Sequence, residues 1–148
     1  PDWIGWEFVD DHKESKKYPL RDSLKDDYSL RLLVEEFYET EFWDKVSGTQ
    51  IYNQDLATFL FDMAVHCGIG FAVKSLQGGL NVLMGSKLTT DGVFGYETRN
   101  ILKTMENVNL EETLLKILMV FRGQKYIDLA KDSEFHRERL KGYFKRLF

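Results

Sequence analysis

The stretch from Leu56 to Leu102 constrains the fold more than any other part of the chain. Leu56, Phe59, Leu60, Met63, Ala64 and Cys67 repeat at the three-and-four spacing of an amphipathic helix. Asn53 stands where a cap would, and Gly68 offers a left-handed stop. A second helical stripe follows over Gly70 to Met84, with Ala72, Val73, Leu76, Leu80 and Leu83 inward. Gly78 and Gly79 inside that helix cost about 1 kcal/mol each relative to Ala, so they imply close packing of another backbone or a kink. The GSKLTTDGVFG segment then reads as a loop, with Asp91-Gly92 as its turn.

On either side of this region the pattern stays helical. Leu30, Leu33, Val34, Phe37 and Tyr38 form one stripe from Asp27, with Asp26 or Asp27 as cap, ending near Phe42-Trp43-Asp44. A short helix is expected from Tyr96 to Met105, burying Ile101, Leu102 and Met105. The word Asn109-Leu-Glu-Glu112 reads as a capping box opening the longest helix, with Leu110, Leu114, Ile117, Leu118, Phe121 and Leu129 inward. Ser133 starts the last one, which carries Leu140, Tyr143, Phe144 and Leu147.

Residues 1–27 are different. WIGWEFV is rich in strand-favouring residues and reads as a short strand or an anchored loop, DDHKESKK as solvated, and Tyr18-Pro19 as a turn. The expected fold class is therefore mainly α, about six helices, with room for a small β flap at the N-terminus.

Composition narrows the function classes. Residues 1–44 carry 13 acids against 6 bases, and residues 45–148 carry 11 against 14, so the net charge of −4 hides an asymmetry. The acidic balance speaks against a dedicated duplex-DNA binder, and the basic tail HRERLKGYFKRLF reads as an exposed helix face of mixed charge. No uncharged run reaches membrane-spanning length, and no signal-peptide pattern is visible. The chain begins at Pro1 rather than Met, which reads as a fragment, a processed product or a renumbered chain.

The chemistry-bearing residues are few. Cys67 is the single cysteine and sits on an apolar helical face, so it reads as a buried, inert thiol. His12, His66 and His136 lack the spacing of a metal site, and no metal or cofactor is expected. Neither a phosphate-cradling loop nor a serine nucleophile word occurs. Glycosidic cleavage needs a carboxyl raised by an apolar setting. Glu7, between Trp6 and Phe8, is the one low-ranking candidate, with an outward strand position as its plainer reading. Glu35, Glu36, Glu39 and Glu41 read as the solvated face of their helix. Asp62 and His66 stand at i, i+4, spacing that lets them meet as a structural pair or line a polar cleft. Trp43 and Tyr96, if exposed, would suit stacking on a sugar face.

FDMAVHCGIGFAVKSLQ followed by TTDGVFGYETRNIL resembles the C-terminal, peptidoglycan-binding half of glycoside hydrolase family 108, the lysozyme-like muramidases of phage lysis and secretion systems. Phe61, Asp62, Ala64, Val65, Gly68, Leu76, Gln77, Asp91, Gly92, Gly95 and Thr98 match the family words. FYETEFWD is similar to the family segment preceding this half, and Gly142 and Arg146 match its closing helix. His66 stands where the family has Asn, and Tyr96 where it has Pro. The general-acid word Glu-Gly-Gly and the Asp-x-Gly-Gly segment after it do not occur in this sequence, where Ile4-Gly5-Trp6 is at best a degraded echo.

The resemblance implies residues 1–47 as a remnant of the lysozyme-like catalytic part and 48–148 as the peptidoglycan-binding part, packed with it as one compact unit. It implies a muramidase-like function, with a non-catalytic wall-binding or structural module of a phage particle or secretion machine as the alternative. Peptidoglycan is the expected partner, touched by Trp43, Asp62, His66, Asp91 and Tyr96, in the cell envelope or a phage particle. A third reading is a helical adaptor using the basic C-terminal helix.

Overall fold

In the computed structural model, which describes residues 3–15 and 24–147, the chain divides into two compact units, Pro1–Trp43 and Asp44–Phe148. No strand occurs among the described residues. The fold is mainly α.

In the first unit, helix α1 (Gly5–Glu14) occupies the segment expected as a strand or loop. Gly5, Phe8, Val9 and His12 fall at i, i+3, i+4 and i+7, and all four are at least half-buried. The stripe was hidden because two of its members, a glycine and a histidine, do not register as apolar. His12, expected to be solvated, is buried at 8% exposure. Its Nδ1–H donates to Phe8 O at 2.8 Å, and its Nε2 lies 3.6 Å from Asp27 Oδ2. The other oxygen of Asp27 accepts from the Leu30 backbone N–H at 2.9 Å, capping helix α2 (Tyr28–Tyr38). One carboxylate thus starts α2 and holds it to α1. The turn expected at Tyr18-Pro19 lies outside the described residues. Helix α2 runs into a π-helical turn, Glu39–Trp43, and Trp3, Phe37 and Phe42 stack at 5.7 and 6.0 Å between ring centres.

The second unit holds five helices. Asn53 caps α3 (Gln54–Cys67) by accepting from the Leu56 N–H at 2.9 Å. The chain reverses at Gly68 and enters α4 (Ile69–Met84). Gly68 has φ 92° and ψ 145°, outside the left-handed helical region expected, though still a conformation for which glycine is the natural choice. Helices α5 (Tyr96–Glu106), α6 (Glu111–Asp132) and α7 (Glu134–Phe144) follow. The core is fully buried Leu56, Leu60, Met63, Leu76, Leu80, Leu102, Met105, Leu114 and Leu118.

The capping box expected at Asn109 is absent. Leu110 is the residue before α6 and makes no side-chain cap. Asn109 instead takes a left-handed conformation, φ 55°, and its N–H donates to Glu106 O at 3.1 Å. Asn tolerates that conformation better than most residues, so the turn decides its use here. Within α6 the buried residues Leu114, Leu118, Arg122, Tyr126 and Ala130 recur every four positions, while Ile117, Phe121 and Leu129 are half-buried beside them. The core stripe of the longest helix therefore contains an arginine.

The glycine pair of α4 resolves into two roles. A Cβ on Gly79 would lie 2.7 Å from Leu114 Cδ1, so this glycine lets α6 approach α4. A Cβ on Gly78 would meet only the Phe121 ring at 3.8 Å, an ordinary contact. Gly79→Ala is expected to destabilise by about 1–3 kcal/mol through overpacking. Gly78→Ala is expected to stabilise by up to about 1 kcal/mol through helix propensity. Urea unfolding of the two variants side by side checks the opposite signs.

Candidate functional site

Helices α3, α6 and α7 meet at a polar cluster built on Arg122. Its side chain has no exposed surface. Nη2–H donates to Asp62 Oδ2 on α3, and Nε–H donates to the Tyr126 hydroxyl one turn further along α6. Arg146, just beyond α7, donates to the other Asp62 oxygen at 3.1 Å. Arg122 Nη1 has no hydrogen-bond partner, but the guanidinium lies 5.2 Å from the centre of the Phe59 ring, whose face favours a cation.

His66 enters this cluster through Tyr126, whose hydroxyl lies 3.0 Å from Nδ1. That hydroxyl accepts from Arg122, so its own proton is free to donate to His66, which then carries its hydrogen on Nε2. Tyr143 of α7 packs against both rings at 5.1 Å, and its hydroxyl lies 2.9 Å from His136 Nδ1. Asp62 and His66 therefore belong to one network, with Arg122 and Tyr126 as the links between them.

The electrostatics agree with the geometry. Burial first, then the positive charges of Arg146 and Arg122, lower the His66 pKa against a smaller opposing effect of Asp62. Burial pushes the Tyr126 phenol up to about 12 despite the neighbouring Arg122. Burial of Arg122 would favour its neutral form, but the bond to Asp62 and the neighbouring groups outweigh it and its pKa is raised. Cys67 is also pushed up by burial, as expected of an inert thiol. A carboxylate engaged by two guanidinium groups serves as a charge partner, and Asp62 is positioned as one.

A second cluster holds the loop between α4 and α5. Gln77, 2% exposed, donates from Nε2 to Asp91 Oδ1 at 2.8 Å and to Val93 O at 3.0 Å, with Thr98 Oγ1 at 3.3 Å. Its Oε1 accepts from the Gly92 N–H at 3.0 Å. Asp91 Oδ1 also accepts from the Val93 N–H at 2.9 Å, and these bonds, Gln77 foremost, lower the Asp91 pKa. Gly92 has φ 84°, and a Cβ there would approach Gly70 O to 3.1 Å. One turn along α4, Asn81 accepts from the Leu88 N–H at 2.7 Å and donates to Leu88 O at 2.8 Å. Two side-chain amides on one helix face thus pin both ends of the loop.

The remaining candidates lie apart from these bonds. Glu7 is exposed in the first turn of α1. Trp43 closes the π-helical turn and is half-buried, short of the exposed position that stacking on a sugar would favour. Tyr96 opens α5 with 74% of its surface exposed. Glu35, Glu36, Glu39 and Glu41 are all exposed. No group of His, Cys, Asp and Glu suited to a metal occurs among the described residues. Arg122, Tyr126 and Asn81 were not singled out in the sequence. The signal for the first was a charged residue in register with Leu114, Leu118 and Tyr126.

Residues 71–148 match the family model described as a predicted peptidoglycan domain, and residues 8–68 match that of glycosyl hydrolase 108. The first match spans just over half of the chain, and the chain belongs to that peptidoglycan-domain family, joined to a glycoside hydrolase 108 segment. It is a peptidoglycan-related, lysozyme-like protein. Comparison with curated proteins gives no match. The Asp62–Arg122 and Asp62–Arg146 bonds join the two matched segments.

Two outcomes follow from the cluster. Asp62→Ala removes the partner of a buried guanidinium and is expected to cost about 2–4 kcal/mol, near the low end for a broken buried pair because Asp62 is 37% exposed. Chemical denaturation of the variant measures it. His66 has a lowered folded pKa, so its contribution is complete above the unfolded value near 6.5 and is lost as pH falls below it. Melting temperature should decline from pH 7 toward pH 5, and His66→Asn should flatten that part of the curve.

Proposed function

We propose that this protein recognises peptidoglycan through the helices that follow Gly68. The observation that carries this reading is the family match over residues 71–148, which takes in α4 to α7 and the pinned Asp91-Gly92 loop. The cell envelope is its place of action, as a wall-associated protein of a bacterium or as part of a phage particle or secretion machine. Among the described residues no helix is long and apolar enough to cross a membrane. In this reading residues 1–47 derive from the catalytic part, and the wall-binding role falls within 48–148, in the helices after Gly68. Tyr96 is the candidate best exposed for stacking on a sugar, with Trp43 less open. Asp62, His66 and Asp91 act by shaping the surface around them.

A second reading, hydrolysis of the muramyl–glucosaminyl bond, is favoured by the glycosyl hydrolase 108 match over residues 8–68. That reaction requires a general-acid carboxyl in an apolar setting. Glu7 is exposed, which does not supply that setting. The acid of the family word would then come from a segment beyond this sequence.

Co-sedimentation with insoluble peptidoglycan, together with reducing-sugar release and a turbidity assay across pH, separates the readings. Recognition predicts retention of the protein on the walls. Retention without sugar release supports the binding module, and release that survives Glu7→Gln assigns the acid elsewhere. Absence of retention at any ionic strength would refute wall recognition.

A further inference from the structure

A groove of about 410 Å³ runs between α4 and α6 and is lined also by Thr90 of the pinned loop. Phe71 and Phe121 line it, with Lys74, Gln124 and Lys125 also on its walls. The Lys125 ammonium lies 5.7 Å from the centre of the Phe71 ring, and Lys74 passes over the Gly92 turn. One acid, Asp128, also lines the groove, but it accepts from Lys131 and from Gln124, each at 2.9 Å. Lys131 pairs with it directly and Lys125 attracts it from farther off, and neither Lys74 nor Lys125 forms an ion pair within the groove.

We propose that this groove takes the peptide stem of peptidoglycan, its carboxylates meeting Lys74 and Lys125 and its methyl groups lying on Phe71 and Phe121. The proposal rests on the wall-recognition reading and assigns it a place and a chemical target. A glycan strand of N-acetylated sugars offers ring faces, acetamido groups and hydroxyls but no carboxylate where its lactyl groups are amidated by the stem, so it has nothing to match two ammonium groups. Here Gln124 donates to Asp128 and Ser75 is buried, which leaves two phenyl rings, two ammonium groups and the Thr90 hydroxyl as the principal contacts. Short side chains bearing free carboxylates complement that combination of apolar floor and cationic rim. The groove also has a fixed frame, because Gln77 and Asn81 hold the loop that carries Thr90.

The test compares the full chain with Lys74→Glu/Lys125→Glu. A matched reversal on α7 and just beyond it, Lys141→Glu/Lys145→Glu, serves as control, and thermal melts show that all three are folded. Binding is measured to intact sacculi, to glycan strands stripped of peptide by an amidase with the freed lactyl carboxylates capped as amides, and to a soluble stem peptide as competitor. The groove variant should bind sacculi at least tenfold more weakly and the control within twofold of the parent. Stripped glycan should be bound poorly, and the soluble stem peptide should displace the parent protein. Equal binding to stripped glycan, or an equal loss in the control, overturns the assignment to the peptide stem while leaving wall recognition standing. A parent chain that binds no sacculi overturns both.

Discussion

The second unit depends on one charge that has no access to water. Arg122 lies in the middle of the core stripe of α6, and an unpaired guanidinium there would be costly enough to oppose folding. Its stabilisation comes from three directions: the carboxylate of Asp62, the hydroxyl of Tyr126 and the face of Phe59. Two of these partners lie on α3, so α3 and α6 are held in one register. Arg146 then binds the remaining oxygen of Asp62 and brings the end of α7 to the same point. An apolar core tolerates small slips, whereas a buried ion pair tolerates few. The register of α6, one wall of the groove, is set against α3 by this pair.

The helices were legible in the sequence wherever the apolar stripe was unbroken. Leu56 to Cys67, Ala72 to Leu80 and Leu30 to Phe37 declared their faces, with Tyr38 standing exposed at the end of its stripe, and the Asn53 and Asp27 caps were in place. Failures came where a residue served in a role its type does not advertise. Gly5 and His12 belong to the buried stripe of α1, which made an aromatic helix look like a strand. Asn109 supplies a left-handed turn where a cap was expected. Arg122 completes an i, i+4 series in α6 whose other members are Leu114, Leu118, Tyr126 and Ala130. A period search that scores arginine as polar passes over that series.

The candidate site was legible in part for a related reason. Asp62 and His66 were readable as neighbours because helical spacing places them so, but the two groups that connect them lie sixty residues away. Asp91-Gly92 was readable as a turn, and Gly92 takes the expected positive φ. What that reading lacked was Gln77, since one amide that donates and accepts across a loop leaves no spacing signature in a single sequence.

The residues that match the family words serve mainly as internal ties. Asp62, Gln77, Asp91, Gly92, Thr98 and Arg146 all match the family words, and each is bound within the chain or fitted closely against its backbone. They specify a frame: two amides fix a loop, and one ion-pair cluster fixes three helices. Of the side chains that face the groove, Lys125 lies over the Phe71 ring, and neither it nor Lys74 forms a direct ion pair there. Under the proposed recognition of a peptide stem, exchanging Lys74 or Lys125 would alter the charge offered to the ligand while the ties made by Asp62 and Gln77 stay in place.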